Sequence, residues 1–293
     1  MTTTLGRWTR AALGACAAAL LACAPAAAEP AMWVVKDADS TVYLFGTVHV
    51  LKPDTEWRTP KIDKAFRSSG DLWIEMDEGD NPAALQGLVA RLGTSPATPL
   101  SSRLNAEDKA KLQAAATVAG LPPAALEPMR PWLAAVTLTL APLMKAGYDP
   151  AAGVDKVLQD DAEAAGRPLR TLETMEQQFR FFADLPPEVE LQLLRQALDE
   201  AEEGTAMIDR MAAAWAKGDV TLLERLVVDE MRADYPAVYQ VLFTRRNAAW
   251  ASSIETLMKG AGTHFVAVGA GHLLGPDSVQ AQLAARGIVA ERR

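Results

Sequence analysis

The chain is poor in reactive side chains. It has two cysteines and three histidines in 293 residues, and 6% of its residues are aromatic. Both cysteines, Cys16 and Cys23, precede residue 29. If that segment is a removed leader, no thiol remains. Thiol catalysis, thiolate metal ligation and disulfides are then excluded. The chain also lacks a Gly-x-Ser-x-Gly elbow, a Walker loop and a His-Glu-x-x-His helix. No solenoid-type repeat is present. Basic charge is not in excess, since the formal charge is −8. The apolar run from Ala11 to Ala22 spans about a dozen residues, too few to cross a bilayer as a helix.

What the first residues do contain reads as an export signal. Arg7 and Arg10 form a positive n-region, Ala11 to Ala22 an apolar h-region, and Ala26-Ala27-Ala28 a small-residue cleavage site. There is no paired arginine, which points to ordinary Sec export. Cleavage after Ala28 leaves 265 residues and, with two arginines gone and no acid lost, a charge of −10. Leu20-Leu21-Ala22-Cys23 also resembles a bacterial lipobox, and processing there would leave a lipid on Cys23. The expected location is therefore the periplasm or exterior, with a membrane-tethered lipoprotein as the alternative. The acidic balance disfavours nucleic acid and anionic membrane surfaces as partners. About 265 residues bury roughly 70–75% of their unfolded surface, enough for one core without disulfides.

The remainder reads as one mixed α/β domain, residues 29–293. A central sheet is built from both chain ends around a large helical insertion, about 80–165 and 175–258. Met32 to Lys36 and Thr41 to Val48 are expected as a hairpin across Asp37-Ala38-Asp39-Ser40. Pro60 to Ser69 reads as a helix and Asp71 to Asp77 as a strand. Residues 80–148 read as helices punctuated by prolines. Gly153 to Ala165 reads as a helix stopped at Gly166, and Arg167 to Leu172 as a strand. Further helices are expected to break at Leu185-Pro186-Pro187, Gly204, Gly218 and Pro236. His264 to Val268 reads as a strand, Ser278 to Ala285 as a helix, and Ile288 to Glu291 as a last strand.

Two stretches near opposite ends look alike: Tyr43 to Leu51 and Phe265 to Leu274. Each has a short apolar run, a glycine, two small or aliphatic residues and a histidine. An apolar run of this length reads as a buried strand, and glycine at its end permits a tight bend. His49 and His272 would then emerge at strand carboxyl ends, where open α/β sheets place ligands. They are the candidate metal ligands, with Gly46 and Gly269 as supporting glycines. The N–H groups of Gly269, Ala270 and Gly271 could bind an anion or form a plain turn. Glu75 ends an apolar run and needs a partner. It could be a third ligand or the base for a metal-bound water. Asp77, two residues on, is expected on the same face.

Arg246 falls on a helical stripe with Tyr239, Phe243, Trp250, Ile254 and Leu257, so it should point inward and need an anion. Glu75, Glu173 and a substrate acid are the candidates, and Arg246 is taken as catalytic with Glu75. Asn247 could orient a ligand. Glu173 and Gln177 could support the site or form a local helix-start network. Asp155 reads as a first-turn acid favoured by the helix dipole. His264 lacks the glycine context and reads as a structural edge residue.

Taken together, these segments resemble the TraB/PrgY/GumN family, which is related to the Tiki metalloproteases and more distantly to ChaN-like and erythromycin-esterase-like proteins. The resemblance covers nearly the whole mature length. It rests on Gly46-Thr47-Val48-His49, Ile74-Glu75-Met76-Asp77, Gly153-Val154-Asp155, Leu172-Glu173-Thr174 with Gln177-Gln178, Arg246-Asn247, and Gly269-Ala270-Gly271-His272-Leu273. It implies a mixed α/β fold with two metal-binding histidines and, for the Tiki branch, a divalent-metal-dependent peptidase. The expected function is an exported metal-dependent hydrolase acting on a peptide or small-molecule substrate. The ion would be zinc, manganese, cobalt or iron. The alternative is a non-catalytic protein that sequesters metal, haem or peptide.

Overall fold

A computed structural model describes residues 28–77 and 82–293. Residues 1–27, including Cys23, on which the export reading rests, lie outside them. Six strands form one mixed sheet, in the order β4-β3-β5-β2-β1-β6. They are β1 (Met32–Lys36), β2 (Ser40–Thr47), β3 (Asp71–Ile74), β4 (Leu169–Thr171), β5 (Gly262–Gly269) and β6 (Glu291–Arg292). β1 pairs antiparallel with β2 and β6. β2, β5, β3 and β4 run parallel. β5 enters between β2 and β3, so the two chain ends meet in the middle of the sheet, as the apolar ends of the sequence require.

Alternation along β5 sorts its side chains onto two faces. Phe265 and Ala267 join Phe45, Ile62, Phe66, Leu72 and Leu158 on one face. Val266 and Val268 join Val42, Leu44, Trp250, Ile254 and Leu283 on the other. The helices Pro60–Ser68 and Val154–Ala164 thus cover one face, and Arg245–Leu257 and Val279–Ala284 the other. A separate apolar cluster joins the helices Ala106–Ala119, Pro131–Lys145 and Pro187–Glu203 through Leu112, Leu138 and Leu194. This is the body of the helical insertion. Among the described residues no helix is long and apolar enough to cross a membrane.

Most breaks fall where glycine and proline put them. Gly120, Gly166, Gly204 and Gly218 have positive φ at or beside helix ends. Three expectations shift. β3 ends at Ile74 rather than Asp77, although the ladder continues one step, with Glu173 N donating to Glu75 O at 2.8 Å. The last strand is Glu291–Arg292, because Ile288 packs on the core while Val289 is exposed. The stripe before Arg246 is not one regular helix. Gln240–Thr244 is a π-helical turn, a feature found often at functional sites.

Candidate functional site

Four neighbouring parallel strands end at the same edge of the sheet, and each hands on one polar residue. Glu75 follows β3 directly, His49 and Glu173 lie two residues past β2 and β4, and His272 three past β5. The crevice at the carboxyl ends of parallel strands is where such sheets bind ligands. Glycine lets the segments close. A Cβ on Gly46 would lie 3.0 Å from the Cα of Ala270, and one on Gly153 only 2.2 Å from the carbonyl oxygen of His49. Val154 N donates to Val48 O at 2.9 Å. This docks the first turn of the Val154–Ala164 helix under His49 and brings Oδ2 of Asp155 to 3.1 Å from its Nδ1.

Arg246 is the centre of the buried network. Its Nε donates to Oε1 of Glu173 at 2.9 Å. Nη2 donates to Oε2 of Glu75 at 2.6 Å and to Oε2 of Glu173 at 2.8 Å. Nη1 faces Nε2 of His272 at 3.1 Å and the carbonyl of Leu242 at 3.3 Å. A guanidinium has five N–H donors, and all five are thus engaged. The guanidinium also lies over Trp250 at 4.7 Å and Phe181 at 5.2 Å. The expected inward arginine with a Glu75 or Glu173 partner is what the structure holds, with both carboxylates bound at once. No donor is left over for a substrate acid or a developing oxyanion, so Arg246 positions other groups. Burial would lower its pKa, but hydrogen bonding and charge from Glu173 and Glu75 raise it.

Glu75 accepts from Gly269 N at 2.7 Å through Oε1. Its Oε2 accepts from Arg246 and, at 3.1 Å, from Nε2 of Gln178. Burial would raise its pKa, but facing charges on His272, Arg246 and His49 and the Gly269 N–H bring it down to about 2. His272 is itself held down to about 3 by burial and by the Arg246 and His49 charges. At neutral pH His272 is therefore neutral, and the charges that face Glu75 are the buried Arg246 guanidinium and, at the mouth, His49. His272 Nε2 must accept from Arg246, so the ring proton sits on Nδ1 and is donated to Oδ1 of Asn247 at 2.6 Å. Nδ2 of Asn247 is tied to the carbonyl of Asp277 at 2.8 Å. Trp250 and Phe243 flank the ring at 4.4 and 4.9 Å.

His49 differs from its twin. It stands at the open mouth, with 62% of its side chain exposed. The surrounding protein lowers its pKa, yet Asp155, by hydrogen bond and charge, and Glu75 together raise it to about 9. Water at the open face screens that pull. The point where a Cβ on Gly269 would stand lies 3.1 Å from Oε1 of Glu75, 3.6 Å from Cδ2 of His272 and 3.7 Å from Nε2 of His49. The three residues do converge.

The convergence does not fit an ion shared by all three. A ligand must offer a free lone pair, and His272 Nε2 is committed to Arg246. Glu75 keeps one lone pair on Oε1, and His49 keeps Nε2. Among the described residues no three His, Cys, Asp or Glu side chains are arranged to hold a metal ion. Asp77 accepts from Nε2 of Gln159 at 3.2 Å. His264, at the opposite sheet end, pairs with Asp71 at 2.7 Å, a structural place as expected, though on the interior strand β5 and part-buried rather than at an edge.

Gln177 and Glu173 part company. Gln177 forms a capping box with Thr174, the local network, whereas Glu173 belongs to the Arg246 cluster and also accepts from Nε1 of Trp250 at 2.9 Å. Three partners escaped sequence reasoning. Asp155 reads as a dipole-compatible acid within the Gly153-Val154-Asp155 family motif, with no chemistry assigned. Gln178 was seen beside Gln177 without a role. Trp250 was counted as core, which it also is. The Gly-Val-Asp spacing was the available signal for Asp155.

The TraB/PrgY/gumN family profile matches residues 31–292, so the chain belongs to that family. An uncharacterised protein of Treponema pallidum (strain Nichols) is 24% identical over 267 residues, covering 86% of this chain and 79% of its own length. No solved structure matches significantly.

Proposed function

We propose that this protein is an exported hydrolase that activates a water molecule between His49 and Glu75 to cleave a peptide, amide or ester bond. One observation carries the reading. Once hydrogen bonds are counted, Nε2 of His49 and one lone pair of Glu75 Oε1 are left open, and both lie within 4 Å of the same point above Gly269. His49 with Asp155 is the base-and-orienter half of a catalytic triad, and with no thiol or serine motif nearby the nucleophile is water.

The roles follow from the chemistry. Asp155 fixes the His49 tautomer and stabilises the imidazolium once Nε2 has taken the proton from water. As the water oxygen bonds to the carbonyl carbon and the C–N or C–O bond breaks, the imidazolium returns that proton to the leaving amine or alcohol. Glu75 is too weak a base, with its pKa drawn to about 2, so it orients the water by accepting its second hydrogen. Arg246, Gln178 and Gly269 N keep that carboxylate in place. Export is proposed on the leader of residues 1–28. Screening peptide and ester libraries with the exported protein tests the activity. Cleavage that disappears in His49→Asn and in Glu75→Gln supports it, and cleavage indifferent to both removes it.

A further inference from the structure

The two Gly-x-x-His segments suggest an ion site, but the interior of the cluster already holds a cation. Arg246 reaches Glu75, Glu173 and His272 simultaneously, at 2.6, 2.8 and 3.1 Å. These are the groups that would otherwise neutralise or ligate a divalent ion. We infer that Arg246 stands in the position of that ion, so the chain takes up no divalent metal through His49, His272 and Glu75.

Three features support this. The arginine is not a chance visitor, because all five of its donors are matched and its guanidinium carbon lies over the rings of both Trp250 and Phe181. The lone pair that His272 would give a metal is the one the guanidinium uses, and Asn247 keeps the ring from turning over. What remains is His49 Nε2 and one Glu75 lone pair. That is two donors, where open catalytic zinc sites use three. A guanidinium stays charged at any working pH, so it cannot yield by losing its proton. An ion entering beside it would also meet like charge in a partly desolvated place.

The inference stands apart from the hydrolase reading, because ion uptake is measured without turnover. The full exported protein, stripped of metal, is titrated calorimetrically at neutral pH with Mn²⁺, Co²⁺ and Zn²⁺ in turn, beside His49→Ala and His272→Ala. No uptake, or uptake that both variants leave unchanged, supports the inference. One equivalent bound by the wild type and lost in either variant overturns it. Arg246→Met is the complementary arm. If it remains folded by circular dichroism, it should take up one equivalent where the wild type takes none. A folded Arg246→Met that takes up none would contradict the role given to Arg246. If it does not fold, the wild-type and histidine arms decide alone.

Discussion

Nη1 of Arg246 faces Nε2 of His272 at 3.1 Å, and that contact separates the two matched histidines. A guanidinium only donates, so His272 is fixed as a neutral acceptor with its proton toward Asn247. His49 has no such cap. It is held from behind by Asp155 and opens to solvent in front. The same short motif thus yields one buried, capped imidazole and one imidazole open to solvent.

Arg246→Met should destabilise the fold strongly, because it leaves Glu75 and Glu173 buried and unpaired. Removing one partner of a buried ion pair costs about 3–5 kcal/mol. Arg246→Lys should recover little, since an ammonium cannot span two carboxylates and an imidazole in one plane. Urea midpoints of the three proteins check this. Equal midpoints for wild type and Arg246→Lys would contradict it.

Asp155→Asn should leave the midpoint nearly unchanged, since the pair lies at the open mouth. It should lower kcat by about a hundredfold or more, because the imidazolium loses its stabilising charge. The pH profile carries a second signature. Asp155 and Glu75 raise the His49 pKa above 6.5, so the base form accumulates only on the alkaline side of that value. Activity, followed as kcat/KM, should rise on that side, and in Asp155→Asn the limb should move to lower pH. A profile flat from pH 6 to 9 argues against His49 as the base.

His272 should reveal itself in acid stability. Its folded pKa, about 3, lies below the ordinary value of 6.5. The unfolded chain therefore binds the proton first as pH falls, and stability is lost from about 6.5 downward. Glu75 adds its own loss only below its unfolded value of 4.5. Between pH 6.5 and 4.5 the wild type should lose stability more steeply than His272→Gln, whatever their absolute midpoints. Parallel slopes in denaturant titrations at pH 7, 6 and 5 would show that His272 is not held neutral.

Export gives a chemical readout. Mass spectrometry of the secreted or periplasmic protein should find a mature terminus at Glu29 or a diacylated Cys23. An intact Met1 on a cytoplasmic protein would refute the leader reading.

The architecture was legible because hydrophobic period and chain punctuation encode it. The apolar runs around Leu44, Ile74 and Phe265 announced three strands, and the glycines and prolines after residue 80 announced the helical breaks. The convergence of His49, Glu75 and His272 followed from matched strand-end motifs. The division of labour among them did not. A sequence does not show that one arginine will use five donors, and that count is what converts His272 from ligand candidate to scaffold. Nor does it show that Gly153 packs on the His49 carbonyl and carries Asp155 beneath the ring. The π-helical turn at Gln240–Thr244 was hidden too, because its residues keep an apolar stripe whether the turn is regular or widened.

The central claim is that water, activated between His49 and Glu75, is the nucleophile. Its most direct test is cleavage of a peptide and ester library in ¹⁸O-labelled water, read by mass spectrometry. The account predicts one ¹⁸O in each newly formed carboxyl group for the wild type, and no new carboxyl groups with His49→Asn or Glu75→Gln. Products formed equally by all three proteins, or no labelled product from the wild type with any substrate, would contradict it.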